Sequence, residues 1–400
     1  MDMIKAVAVF CISTVFMVFS AFALAAEREH PAPENAPEVR KASAELVLDA
    51  KEAGAVSLYE CNTRTYISGR NSSQKLPAGH LAKLMVFLIA AEKIRSGELA
   101  LDSIVTVSNN ANSQNDPQIW LDAGEKVSVS DLLKAVTIGN ANDAAVAIAE
   151  IISVKVNDFT ALMNLKASAL GMLGTTFSDP TGMEVGNITT ADDICKLCAE
   201  LVKYKDFSEY FTTRLDTVRG GKTELVSRNK LLRNQKGILG FKVCSGKESG
   251  VCAALCIQKD DMTVCFVVLG AKNEDEVLGS CPAMLNSVFS EYEVYYPEIP
   301  DESCLDIPVK LGTSTKCRTY MPMIRPVLIH RGSYKSISCT FSVAESAEAP
   351  VFRGESFGSI VYKVGDEVLL SSDICSDEYI SKVGFVYTLK RVLSNLLNLS

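Results

Sequence analysis

Histidine is nearly absent from this chain, with three residues in 400: His30, His80 and His330. They lie too far apart along the sequence to suggest a metal site. Positive charge is also in deficit. The 40 Lys and Arg face 48 Asp and Glu, for a net charge of −8 and a pI near 5.2. That balance excludes the basic face that a nucleic-acid partner would require. No glycine-rich phosphate loop and no Cys/His quartet at zinc spacing occurs, so neither a cofactor nor a metal is expected.

What is present begins at the N-terminus. Lys5 precedes an apolar run over residues 6–26 that ends in Ala23-Leu24-Ala25, a small-x-small pattern read as a secretory signal peptide, 1–26. An uncleaved membrane anchor is the alternative, because the run is long enough to span a bilayer. Either reading places the body of the protein outside the cytoplasm. Residues 27–40, rich in Pro, Glu and Ala without an apolar period, read as a linker.

An exported chain with twelve cysteines beyond Cys11 invites disulfides. Their placement argues for mostly free, buried thiols, with a few bridges left open. Cys195 and Cys198 sit in a helical apolar pattern with Ile194, Leu197 and Leu201, and Cys252, Cys256 and Cys265 sit in strand-like runs. Cys195-x-x-Cys198 as a zinc or redox pair lacks a second pair at zinc spacing.

Residues 44–49 and 56–60 predict a hairpin turning at 52–54. Helical spacing of Leu84, Phe87, Leu88, Ala91 and Ile94 predicts a helix ending near Gly97. Further helical regions follow over 128–152, 159–170 and from the Thr189-Thr190 cap to Leu201. Residues 238–243 read as a strand, and 251–257 with 262–269 as a hairpin. Strands at both ends with helices between them predict an α/β sandwich around an antiparallel sheet. After Pro297 short alternating strands predict a small β domain over 301–376. Residues 379–399 place Ile380, Val383, Val386, Tyr387, Leu393, Leu396 and Leu397 on one face, an amphipathic helix suited to an anionic membrane surface. Docking of that helix on the protein's own β domain is the alternative.

The most informative stretch is Pro77-Ala78-Gly79-His80-Leu81-Ala82-Lys83-Leu84-Met85. A Ser-x-x-Lys pair at the start of a helix puts a hydroxyl and a base on one face, within proton-transfer reach. Here Lys83 is present and the residue three before it is His80. The order of other segments makes the pattern specific: Ile119-Trp120-Leu121-Asp122, Asn142-Asp143-Ala144-Ala145, Leu170-Gly171-Met172, Asp179-Pro180-Thr181-Gly182-Met183 and Asn229-Lys230-Leu231-Leu232. Over residues 42–376 the chain resembles the serine D-alanyl-D-alanine carboxypeptidases, low-molecular-mass penicillin-binding proteins that trim peptidoglycan stem peptides.

The resemblance implies an α/β (α+β) transpeptidase-like domain with an antiparallel sheet and a helical subdomain over 41–297. The small all-β domain over 301–376 and the amphipathic helix over 377–400 would follow it. It also implies three motifs, Ser-x-x-Lys, Ser-x-Asn and Lys-Thr-Gly. They align here as His80-x-x-Lys83, Asn140-Ala141-Asn142 and Lys242-Val243-Cys244. By that resemblance His80, at the nucleophile's position, Lys83, Asn140 and Asn142 are the catalytic positions. Lys242, Val243 and Cys244 are the substrate-binding ones. The motif hydroxyls are gone, and Cys244 puts a side chain where the family has glycine. Two other Ser-x-x-Lys strings, starting at Ser72 and Ser227, lie outside the helix start and substitute for nothing.

The expectation is an exported, peptidoglycan-related member of the family with impaired catalysis, acting by binding or regulation at the outer face of the cytoplasmic membrane or in the cell wall. Its partners would be stem peptides or an active cell-wall enzyme, and the membrane surface through the terminal helix. An active carboxypeptidase removing terminal D-Ala by another route is one alternative. A structural module acting through its β domain and terminal helix is the other.

Overall fold

The computed structural model describes residues 53–233, 237–299, 306–322, 324–385 and 387–389. The signal and linker segments, 1–40, fall outside the described residues. In chain order the main elements of the larger part are β1 (Ala55–Glu60), β2 (Thr65–Arg70), α1 (Ala82–Arg95), α2 (Val129–Thr137), α3 (Asn142–Ile152), α4 (Val156–Ala169) and α5 (Ala191–Leu201). Then come β3 (Ile238–Gly246), β4 (Gly250–Lys259), β5 (Met262–Ala271) and α6 (Glu274–Glu291). The sheet runs β2-β1-β5-β4-β3 with every neighbouring pair antiparallel.

The central strands are covered on both faces, so β4 and β5 read as continuous apolar runs rather than alternating ones. One face (Cys244, Cys252, Ala254, Cys256, Cys265, Val267, Leu269) packs against α1–α5. The other (Val243, Ala253, Leu255, Val264, Phe266, Val268) packs against α6 through Val277, Leu278, Leu285 and Val288. Helix α1 is enclosed all round, from Ala82 to Ala91. Such a helix is apolar on every side, and Lys83 is the one charged residue in that buried stretch.

The strand expected over 44–49 lies outside the described residues, and β1 is flanked by β2 and β5. Two expectations need correction. The helical region 128–152 is two helices, broken where Asn140 takes a left-handed conformation (φ 61°). The segment expected to be helical from Tyr379 is extended at first. Ile380 bridges Val351, Lys382 bridges Gly312, and helix begins at Phe385. Ile380 is buried because it completes a β core, and residues beyond 389 lie outside the described ones.

After α6, Tyr292–Tyr295 pairs with Val327–His330. A six-stranded sheet over residues 306–376 follows, with a core of its own around Ile307, Val309, Cys317, Val351, Phe357 and Ile380. Among the described residues eleven cysteines are free, all but Cys339 buried, and no helix is long and apolar enough to cross a membrane.

Candidate functional site

His80 lies in a single 3-10 turn, Gly79–Leu81, that runs directly into α1. Three residues of helix carry its ring back to Lys83, with Lys83 Nζ 2.8 Å from His80 Nδ1. Nζ also donates to Asn142 Oδ1 at 2.6 Å and to the Thr181 carbonyl at 2.7 Å. Three acceptors match the three N–H bonds of an ammonium. Nδ1 also lies 3.1 Å from the Thr181 carbonyl: it accepts from Lys83 when the lysine is an ammonium, which leaves the ring proton on Nε2, and donates to that carbonyl when the proton is on Nδ1. Lys83 is 1% exposed, and burial in this core is tolerable for a lysine only with such partners. Burial, followed by the charge of Lys242, holds the Lys83 proton affinity well below the ordinary lysine range. Burial and then the Lys83 charge push the His80 imidazole down to about 3, so His80 is neutral at physiological pH.

The Thr181 carbonyl is aimed by its own loop. The Asp179 carboxylate accepts from the backbone N–H groups of Thr181, Gly182 and Glu184, and from the Thr181 hydroxyl and the Asn187 amide. This tightens residues 179–187 against the turn that holds His80. Gly182 sits at φ 82°, and a Cβ there would lie 1.9 Å from the Gly79 carbonyl oxygen. Only glycine permits that approach.

Asn142 opens α3. Its Oδ1 receives Lys83, and its amide donates to the Asn115 carbonyl at 2.8 Å. Next to it, Asp143 accepts the backbone N–H of Ile119 and Leu121, fixing the loop that presents Trp120 to the cleft. Burial raises the Asp143 carboxyl, and those N–H donors oppose the shift. Asn140 is buried with its Oδ1 unpartnered. Asn tolerates the left-handed backbone required there, but it brings no hydroxyl.

β3 forms the opposite wall. Lys242 is 3% exposed, and its Nζ donates to the Val136 carbonyl at 2.8 Å, at the end of α2. Burial brings its proton affinity down to about 8. Lys242 and Val243 line the cleft, as do His80, Asn140, Trp120, Ser227, Arg228, Ser245 and Ser249. The cleft encloses about 700 Å³, a ligand-sized volume.

Cys244 departs from its expected place as a substrate contact. Its side chain is fully buried, turned into the helix-side core, where Sγ lies 3.6 Å from the Cys252 carbonyl and within reach of the His80 backbone N–H. That amide is of the kind that stabilises an oxyanion in acyl transfer.

The structure therefore brings His80, Lys83, Asn142, Asn140 and Lys242 to one locus, with only His80, Asn140 and Lys242 of these on the cleft wall. Sequence reasoning missed the Thr181 carbonyl, since a backbone group leaves no residue-type signal. It also missed Ser245, Ser249 and Arg228, which the strand register and the loop after β3 bring in. The string Ser227-x-x-Lys230 is split: Lys230 Nζ points to Asp275 at 2.6 Å.

The family model for D-alanyl-D-alanine carboxypeptidase matches residues 40–273. The chain is 30% identical over 360 residues to D-alanyl-D-alanine carboxypeptidase DacF of Bacillus subtilis (strain 168), covering 89% of this chain and 92% of that protein. It is 26% identical over 334 residues to D-alanyl-D-alanine carboxypeptidase DacC of Escherichia coli (strain K12), covering 80% and 83% respectively. Among solved structures it is similar to penicillin binding protein 5 from Haemophilus influenzae, with a TM-score of 0.74 at 21% identity over 83% of this chain and 98% of that one. The fold is thus the mixed α/β fold of penicillin-binding proteins. With the sheet, the helix bearing Lys83 and the match over more than half its length in agreement, this chain belongs to the D-alanyl-D-alanine carboxypeptidase family.

Proposed function

We propose that the protein is an exported family member that binds peptidoglycan stem peptides without hydrolysing them, and acts in cell-wall metabolism by binding or by regulating an active relative. The observation that carries this reading is the His80–Lys83 pair. Where a nucleophilic hydroxyl would face its base, an imidazole nitrogen stands 2.8 Å from the lysine. Loss of a serine nucleophile costs about a millionfold in turnover. A neutral imidazole with no carboxylate hydrogen-bonded to it among the described residues is a poor substitute against an unstrained amide. The Cys244 sulfur near the His80 N–H and the missing hydroxyl at Asn140 support the same reading.

Binding capacity is a separate matter. The cleft keeps cationic groups, Lys242 and Arg228, on its wall, and these suit the terminal carboxylate of a stem peptide. Export rests on the N-terminal signal pattern. Contact with the membrane surface rests on the segment from Phe385 onward, where Phe385 is 81% and Leu389 46% exposed.

The test is incubation of the purified protein with a stem pentapeptide ending in D-Ala-D-Ala. The expected result is saturable binding, weakened roughly tenfold by C-terminal amidation of the peptide, with no D-alanine released above the blank. D-alanine release would overturn the non-hydrolytic reading. Absence of any binding would overturn the peptide-binding one.

A further inference from the structure

Away from the cleft, on the helix-facing side of the sheet, thiols from four elements converge. Cys256 on β4 and Cys265 on β5 are directly opposed across the ladder and point to the same face. Cys61 follows the end of β1, where its backbone N–H bonds the Thr263 carbonyl at 2.8 Å, keeping it alongside β5. Cys198 comes down from α5, which packs over β1, β4 and β5. The sulfur atoms of Cys198, Cys256 and Cys265 lie within 4.8 Å of one another. The Cys61 thiol interacts with those of Cys256 and Cys265, and Cys198 with the same two. Cys61 lies outside that 4.8 Å group, on the side of Cys256 and Cys265.

We propose that Cys61, Cys198, Cys256 and Cys265 form a buried tetrathiolate site for one soft divalent cation of the zinc type. Tetrahedral Zn–S bonds of about 2.3 Å place sulfurs about 3.8 Å apart, so closure among Cys198, Cys256 and Cys265 takes at most about 1 Å per pair, and Cys61 moves in from its wider position at the end of β1. The set is all-sulfur, which selects soft ions over calcium or magnesium. It is closed to solvent, with Cys61 at 4% and the other three at 0% exposure, as in a structural site with no open position.

The absence of a second Cys-x-x-Cys in the sequence is no obstacle. The second pair is made by cross-strand register, and Cys61 joins through the β1–β5 pairing. Cys195, one turn before Cys198 on the same helix face, touches both Cys265 and the Ser57 hydroxyl. It is placed to support a ligand sulfur by hydrogen bonding, as outer groups do in metal sites. Among the described residues the other buried cysteines build nothing comparable. Cys281, for example, sits alone on the α6 side of the sheet.

Binding is a proton exchange without redox change: four thiols lose four protons and one dication gains four thiolate bonds. Its structural effect is to fasten α5 to β1, β4 and β5.

The test uses the full chain purified without reductant. Elemental analysis is expected to give about one zinc per chain, and cobalt exchange the absorption bands of a tetrahedral sulfur-ligated ion. Cys198→Ser and Cys265→Ser should lose the metal, and Cys281→Ser should keep it. Should the serine variants fail to fold, the unmodified chain is unfolded with a chelator and refolded with and without zinc, and its Tm is expected to rise with zinc. A folded, zinc-free chain whose Tm ignores added zinc would overturn the proposal, as would a mass showing these thiols joined as disulfides.

Discussion

Lys83 Nζ stands 2.8 Å from His80 Nδ1, one helical turn away, and shares its other two contacts between Asn142 Oδ1 and the Thr181 carbonyl. The lysine is thereby occupied by three contacts, one of them with the ring at the position aligned with the family's serine. The consequences can be measured.

The first concerns the tautomer and its titration. With Lys83 as an ammonium, nitrogen NMR of His80 is expected to show a protonated Nε2 and a bare Nδ1 at neutral pH; a protonated Nδ1 would assign the Thr181 carbonyl as its partner. Its folded value of about 3 lies below the unfolded one of about 6.5. The unfolded chain therefore binds the proton first. The stabilising contribution of neutral His80 is complete above pH ~6.5 and is lost as pH falls towards the folded value. Over that window the stability of the unmodified protein should fall on the order of a few kcal/mol more than that of His80→Gln, by denaturant titration. Equal slopes would contradict this.

Lys242 titrates with the same sign at higher pH. Burial brings it to about 8 from an unfolded value of about 10.4. Below the folded value both states are charged and the buried charge costs stability. That cost is relieved as pH rises between the two values. Lys242→Met should raise stability at pH 7, and the gain should shrink towards pH 10. A loss of stability at pH 7 would show that the Val136 contact outweighs desolvation.

Gly182→Ala tests the loop that aims the Thr181 carbonyl. With a Cβ placed 1.9 Å from the Gly79 oxygen, the variant should lose about 2–4 kcal/mol of stability. Thermal unfolding measures it, and an unchanged Tm would mean that the turn bearing His80 is free to move aside.

Restoring the motifs tests how far the cleft has departed from acyl transfer. His80→Ser alone leaves the Cys244 sulfur beside the residue-80 amide and the Asn140 side chain in place. Penicillin acylation by this variant should be at least about a hundredfold slower than by His80→Ser with Asn140→Ser, Val243→Thr and Cys244→Gly. Equal rates would show that Cys244 and Asn140 do not obstruct the site.

Much of this architecture was legible in the residues. Apolar spacing located α1, α4 and α5, and Ser128 and Thr190 cap the helices they were expected to open. The turn at Asp260-Asp261 joins the expected hairpin. Helix α6 went unread because Pro282 lies inside it and interrupts the signal, although its apolar positions pack the second sheet face. The break before α3 hangs on the backbone of Asn140, which helical periodicity cannot see. The early part of 379–399 satisfies a helical pattern, yet tertiary pairing with Val351 takes Ile380 into a β core. Motif order brought His80, Lys83 and Asn142 together correctly. It could not tell that Cys244 faces inward, because side-chain direction depends on strand register. The four-thiol cluster joins residues up to 204 positions apart, from Cys61 to Cys265, and no local spacing encodes it.

The most direct measurement of the central claim is the intact mass of the unmodified protein after exposure to penicillin. With His80 neutral and its Nδ1 bound to Lys83, the mass should be unchanged at any practical concentration and time. A stable adduct of one penicillin per chain would show a working nucleophile in the cleft and contradict the account.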